Sequence, residues 1–167
     1  MSSAAILADA FGRIKNSVDR VPVGLTIDQM AAPPYSGGNT VAWLLWHLTR
    51  VQDDHVSEAA GVEQLWTSAG WFERFSLPFE PSATGYGQGS EDVASVRADA
   101  EVLLGYLAAV TAHTVGWVGR LSDTALDRVV DESWDPPVTL GVRLVSVISD
   151  DLQHAGQAAY LRGMLLA

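Results

Sequence analysis

The chain contains no cysteine, and Lys15 is its one lysine. Without cysteine it has no disulfide, no thiolate metal site and no cysteine nucleophile, so thiol chemistry would have to use a sulfur that a substrate brings. The sequence also lacks an uninterrupted apolar run of about 18 residues, the length needed to span a bilayer. Its first residues lack the basic and apolar segments of a signal peptide. We therefore expect a cytoplasmic protein that does not enter membranes.

Basic residues are scarce: ten Lys and Arg stand against 20 Asp and Glu, which gives a net charge of −10. Nucleic acids and anionic membrane surfaces attract proteins of the opposite sign. We therefore expect neither as a partner. The 167 residues are 48% hydrophobic, which suits one domain with a substantial core. We expect residues 1–167 to form a single domain.

Four long segments repeat apolar residues every three or four positions, the spacing of an amphipathic helix. The predicted helices run from about Ser3 to Arg20, from Asn39 or Thr40 to Ala60, from Ser90 to Leu121, and from Thr139 to Leu165. No segment alternates apolar and polar residues long enough to require a sheet. The pattern predicts an all-α fold, a four-helix bundle.

A long irregular insert, residues 61–89, separates the second predicted helix from the third. It is rich in aromatic residues and contains the glycine-rich stretch 85–89. Long loops in small domains usually serve a function. The aromatic residues either pack a satellite core or form a pocket wall or dimer contact, and the sequence leaves both interpretations open.

Asp150 and His154 lie four residues apart in the last predicted helix, so they share one face. At about 100° per residue, Leu140, Val147 and Ala158 fall within about 40° of His154. The carboxylate and the imidazole therefore point into an apolar stripe. Polar groups there need a partner, because burying them unpaired costs several kcal/mol.

His47 lies near the core-facing stripe of the second helix, and Asp54 returns to the same face two turns later. Helical bundles build metal sites from side chains on facing helices, and two histidines with a carboxylate leave coordination positions open. The alternative is a core histidine bonded to a neighbour, with Asp150 in an ion pair. We expect His55 to be a surface or interface residue.

Two stretches, residues 40–51 (TVAWLLWHLTRV) and 150–163 (DDLQHAGQAAYLRG), resemble the DinB/YfiT-like metalloenzymes. The similarity is greatest to the actinobacterial branch near mycothiol-dependent maleylpyruvate isomerase and the mycothiol S-transferases. It covers the whole chain in element order and length. It implies an up-down-down-up four-helix bundle, often a homodimer. It also implies a divalent metal, commonly zinc or nickel, held by one histidine of the second helix and a His-x-x-x-His pair of the last.

By position, the resemblance implies His47 as the first metal ligand and His154 as the last. Asp150 stands where the first histidine of the pair usually stands. A carboxylate is a harder ligand than imidazole, so iron and manganese become possible beside zinc and nickel. The departure also allows a weakened or lost site. Asp151 is an alternative acceptor behind the ligands.

The resemblance implies a metal-dependent transferase or isomerase in which a low-molecular-weight thiol of the mycothiol type attacks an electrophile. Asp54 is the candidate base or water ligand. The candidate contacts to the polar thiol are Arg50, Arg143, Gln157 and Tyr160. The alternative is a non-catalytic, dimeric helical protein whose metal site is structural, weakened or lost.

Overall fold

The computed structural model describes residues 2–167, and their secondary structure is predominantly helical, as the sequence predicts. In chain order the elements are α1 (Ser3–Val18), α2 (Ile27–Met30), α3 (Val41–Ala60), α4 (Leu65–Ser68), α5 (Trp71–Phe75), α6 (Ser90–Ser95), α7 (Ala100–Val118), α8 (Asp123–Leu126), β1 (Val129–Asp131), β2 (Val138–Thr139) and α9 (Leu140–Leu165). The long helices α1, α3, α7 and α9 correspond to the four predicted segments. Helices α1 and α3 each pack against both α7 and α9.

The ends of the long helices follow local side-chain chemistry. Thr40 and Thr139 accept hydrogen bonds from the backbone N–H groups of the first turns of α3 and α9, so they cap these helices at the predicted starts. Gly61 ends α3 in the left-handed conformation, with φ +70°. Helix α1 begins at Ser3, the predicted start, and the side chain of Ser2 caps it.

The prediction of one continuous third helix is wrong, because residues 96–99 separate α6 from α7. The Asp99 side chain accepts the backbone N–H of Val102 at 2.8 Å and starts a new helix. Val96 is extended and fully buried. Burial of this side chain and the new cap together favour a break over a straight helix.

A small antiparallel ribbon of β1 and β2 precedes α9, with Val129 opposite Thr139. Sequence periodicity missed it because strands of two and three residues are too short to alternate recognisably. The ribbon brings Asp131 beside Arg143 in the first turn of α9, with a distance of 2.9 Å between carboxylate and guanidinium.

The core consists of two apolar clusters separated by a polar layer. The layer comprises Gln52 on α3, Thr114 on α7 and Asp151 on α9, all fully buried. Each lies four residues from a member of one cluster and four from a member of the other. Gln52 Nε2 donates to Thr114 Oγ1 at 2.8 Å. Neither carboxylate oxygen of Asp151 has a hydrogen-bond partner among residues 2–167.

Burial raises the pKa of Asp151 well above its usual range, and the negative charge of Asp150 adds to the effect. An unpaired buried carboxyl group costs about 1–3 kcal/mol. We predict that Asp151→Leu raises the free energy of unfolding by about this amount, measured by urea denaturation at pH 7. Gln153→Leu, on the exposed side of α9, is the control and should change it by less than about 0.5 kcal/mol. A destabilised Asp151→Leu protein would contradict the prediction.

Candidate metal centre

His47 lies on α3 with its ring stacked on Trp43, at 4.4 Å between centroids and 16° between planes. Its Nδ1 atom is 2.6 Å from the carbonyl oxygen of Thr84. Because a carbonyl only accepts, Nδ1 carries the proton and the Nε2 lone pair is left free. Burial lowers the pKa of His47, and the hydrogen bond to Thr84 opposes this only in part. The imidazole is therefore neutral at neutral pH, the form that binds metals.

His154 on α9 is oriented in the same way by an oxygen acceptor. Its Nδ1 is 3.0 Å from Gln157 Oε1, and its Nε2 is 3.6 Å from Asp150 Oδ1. The His47 and His154 rings meet edge to face at 4.9 Å between centroids. Hydrogen bonds of this kind fix the tautomer and direction of histidines that ligate metals.

The donor atoms of His47, Asp150 and His154 all lie within 4.8 Å of one another. Ligand atoms about 2.0–2.2 Å from a zinc ion lie up to about 4.4 Å apart. The three donor atoms are therefore nearly close enough to bind one ion. The second carboxylate oxygen of Asp150 is buried without a hydrogen-bond partner among the described residues. An unpartnered carboxylate facing two imidazoles is the donor chemistry of a divalent-metal site.

The end of the 61–89 insert covers His47. Gly85 has φ +101°, and a Cβ atom there would lie 2.5 Å from His47 Nδ1, so the close approach of Thr84 requires glycine. Gln88 accepts the indole N–H of Trp43 at 2.8 Å. The glycine-rich stretch is visible in the sequence, but this contact is not, because it depends on the path of the insert through space.

Asp53 anchors the beginning of the insert from inside the core. Its carboxylate accepts the backbone N–H groups of Leu65 and Trp66, at 3.0 and 2.8 Å, and the hydroxyl of Tyr106 at 2.7 Å. Asp53 is not among the predicted site residues, although an acidic residue among core positions needs partners of this kind.

Arg50 anchors the other end of the insert. It is fully buried, donates from Nε to the carbonyl of Ala83 at 3.1 Å, and lies 4.9 Å from the centre of the Trp66 ring. Ala83 directly precedes Thr84, the acceptor of His47. Arg50 is therefore enclosed by protein in this structure, and its contact to a thiol stays a prediction.

A cleft of about 680 Å³ opens beside the triad and is lined by His47 and Asp150. Asp54, His55 and Arg143 also line it, with the exposed aromatic rings of Tyr86 and Trp134 at its edge. Asp54, the candidate base, accepts a hydrogen bond from Gln64 at 2.6 Å. The structure thus brings Asp54 and Arg143 into the same cleft as two of the triad residues.

His55 lines this cleft and is half-buried. Its Nδ1 accepts from the Arg143 guanidinium at 2.8 Å. Burial lowers the pKa of His55, and the positive charge of Arg143 lowers it further. Arg143 also pairs with Asp131, so part of its hydrogen-bonding capacity is already used. Gln157 and Tyr160 lie outside this cleft and line a second groove.

A family model for mycothiol S-transferases matches residues 5–166 of the chain. The chain belongs to the mycothiol S-transferase family. This result confirms the resemblance to DinB/YfiT-like proteins that the two motifs indicated. A crystal structure of a conserved protein from Enterococcus faecalis is similar in fold, with a TM-score of 0.92 and 30% identity, and the match covers 99% of this chain and 98% of that one. No curated protein gives a significant match.

Membership of the mycothiol S-transferase family supports a transferase role and implies a small-molecule thiol as partner. It agrees with the absence of cysteine, since a thiol-dependent reaction here must take its sulfur from a substrate. In this member, the triad combines two imidazoles with the Asp150 carboxylate.

We predict that Gly85→Ala weakens zinc binding at least tenfold, because the new methyl group displaces His47 or the Thr84 carbonyl that orients it. Affinity is measured by competition with a chromophoric chelator. Gly87→Ala is the matched control: Gly87 has φ +74° in the same loop, but a Cβ there meets nothing within 4 Å. Both variants carry backbone strain, so equal losses of zinc affinity would contradict the prediction.

Proposed function

We propose that this family member is a metal-dependent S-transferase in which a divalent metal activates a thiol of the mycothiol type for attack on an electrophile. One observation carries the proposal: both imidazoles have Nδ1 held by an oxygen acceptor, which leaves Nε2 free to ligate beside the Asp150 carboxylate. When bound, such a metal lowers the pKa of a thiol, so that the thiolate forms at neutral pH.

In this proposal the S–H bond of the thiol breaks and its proton passes to the protein. The sulfur then forms a bond to a carbon of the electrophile while the bond from that carbon to a leaving group breaks, and the leaving group departs with the electron pair. Asp54 is the proposed acceptor of the proton, since it lines the cleft with His47 and Asp150 and is oriented by Gln64. Arg143, at the same cleft wall, is the proposed contact for polar groups of the thiol. Gln157 acts through His154, whose ring it orients.

The proposed metal is zinc or nickel, with iron or manganese as alternatives. Two imidazole nitrogens and one carboxylate oxygen are acceptable to all four ions in the divalent state. The carboxylate makes the set harder than three imidazoles would be, which widens the choice.

We also propose the up-down-down-up arrangement of the four long helices. One supporting contact joins the end of α3 to the start of α9, through His55 and Arg143. Another joins the end of α9 to the second residue after α1, through Arg162 and the carbonyl of Arg20. The first contact is expected if α3 and α9 are antiparallel, and the second if α9 and α1 are parallel.

We also propose that the protein is cytoplasmic and does not insert into membranes. Helix α7 has the length and hydropathy that a membrane span would need. Its buried side chains, among them Leu103, Leu107 and Val110, belong to the core that also contains residues of α3 and α9. This packing accounts for the apolar character of α7 as that of a core helix.

A homodimer formed through the outer face of α9 is the proposed assembly. None of the exposed residues of α9 carries a charge, although the chain has a net charge of −10. The outer stripe of α9 repeats every three or four residues: Val145, Ser149, Leu152, Gly156, Ala159 and Gly163. Small and apolar residues at this spacing let two helices approach closely.

The metal proposal is tested on protein purified without a polyhistidine tag or chelators. We predict stoichiometric divalent metal by elemental analysis, its loss in folded His154→Ala, and its retention in His113→Ala, which changes a half-buried histidine of α7 outside the triad. Metal-dependent conjugation of a thiol to a model electrophile should be lost with the metal. Conjugation is followed by disappearance of free thiol.

Absence of metal from the wild-type protein would contradict the proposed site. Metal without conjugation across several thiols would instead favour the alternative function, a non-catalytic helical protein with a structural metal. The two measurements therefore separate a lost site from a site that holds metal for stability alone.

If this dimer forms, we predict that Leu152→Arg has about the monomer mass of 17.9 kDa in sedimentation and that the wild-type protein has about twice that mass. Charge repulsion and desolvation of the new guanidinium at the symmetric contact are the reason. The control is Ile6→Arg, which changes an exposed apolar residue of α1. Sedimentation velocity distinguishes the forms, and a monomeric wild-type protein would contradict the proposal.

A further inference from the structure

A second groove of about 460 Å³ lies between the loop that precedes α3 and the last turns of α9. Its walls include Tyr35, Leu44, Gln157, Tyr160, Leu161 and Met164. No residue that lines it carries a charge, whereas the larger cleft contains three aspartates and Arg143. The two cavities beside the triad therefore differ in chemistry.

A closed turn shapes the wall that the loop forms. Gly38 donates its backbone N–H to the carbonyl of Tyr35 at 2.9 Å, which closes a turn. A Cβ atom at Gly38 would lie 2.9 Å from the Pro34 ring and 3.1 Å from the Tyr35 ring, so both rings pack onto the glycine. Tyr35 and Tyr160 nonetheless remain 70% and 71% exposed, and their apolar rings are free to contact a ligand.

The groove approaches the triad through two helices. Gln157 lines the groove and also accepts the Nδ1 proton of His154. Leu44 lines it from α3, three residues before His47. Residues three apart on a helix are neighbours on one face, about 4.5 Å along the axis. The groove therefore ends within about one helical turn of both histidines.

We infer that this groove binds the uncharged, apolar or aromatic end of the electrophile, while the larger cleft receives the polar thiol. The inference rests on the proposed function for the identity of the two substrates. A charged ligand would lose its hydration here without gaining an ionic partner, whereas tyrosine faces and a methionine thioether favour an aromatic ring. The volume lies in the usual range for small-molecule sites.

The test uses metal-free protein labelled with ¹³C in its methionine methyl groups. Met164 lines the groove, and Met30, buried in the core, is an internal control. Nitrobenzene should shift the Met164 signal saturably and leave the Met30 signal in place, while benzoate, of similar size but charged, should shift neither. Tyr160→Ala should weaken nitrobenzene binding about tenfold. Tyr86→Ala, which removes an exposed ring from the larger cleft, should not.

The assignment is overturned if nitrobenzene gives no saturable Met164 shift, if benzoate binds equally well, or if Tyr86→Ala weakens binding as much as Tyr160→Ala. Because the titration needs neither metal nor thiol, its result is independent of activity. A protein that binds nitrobenzene at Met164 but conjugates no thiol supports the groove and contradicts the proposed transferase reaction. If the enzyme is active, an unchanged KM for an aromatic electrophile in Tyr160→Ala overturns the groove alone.

Discussion

The hydrogen bond from His47 Nδ1 to the carbonyl of Thr84 is the contact on which the candidate site depends. It selects the tautomer that leaves Nε2 free, and it joins α3 to the end of the insert. The carbonyl is held in turn by the Arg50 hydrogen bond to Ala83. Polar groups that satisfy one another in series fix the geometry of this part of the insert. A long insert can therefore contribute to a site that needs accuracy of a few tenths of an ångström.

Asp150 changes the electrostatics of the triad as well as its ligand atoms. Three neutral imidazoles would leave the charge of a divalent ion undiminished, whereas a carboxylate offsets one unit of it. Less positive charge at the site depresses the pKa of a thiol less strongly. The surroundings do not restore this charge, because, in the part of the chain that the structure describes, Arg143 is the one basic residue that lines the cleft, beside Asp54 and Asp131, and it already pairs with Asp131. In the proposed site, Asp150 would thus favour binding of the ion over the strength of its effect on the thiol pKa.

The sequence predicts well those features that depend on a single helix. Periodicity on α9 places Asp150 and His154 on one face, and hydroxyl side chains at Thr40 and Thr139 define helix starts. The relations between distant segments are harder, because no local pattern encodes them. Arg50 is an example: an arginine one turn after His47 suggests a ligand contact, yet its partners come from residue 83 and from α7. The approach of Gly85 to His47 likewise depends on the route of the insert.

Helix α9 shows how one regular element divides its surface among three tasks. Val147, Asp151 and Ala155 face the core, while Asp150 and His154 lie beside them at the edge that meets α3. The opposite face is exposed and uncharged. Because successive residues turn by about 100°, adjacent positions such as Asp150 and Asp151 point in different directions and meet different surroundings. The Asp150 carboxylate is therefore placed to act as a metal ligand at the edge, while Asp151 lies in the polar layer. Residue type and sequence position alone do not distinguish these two surroundings.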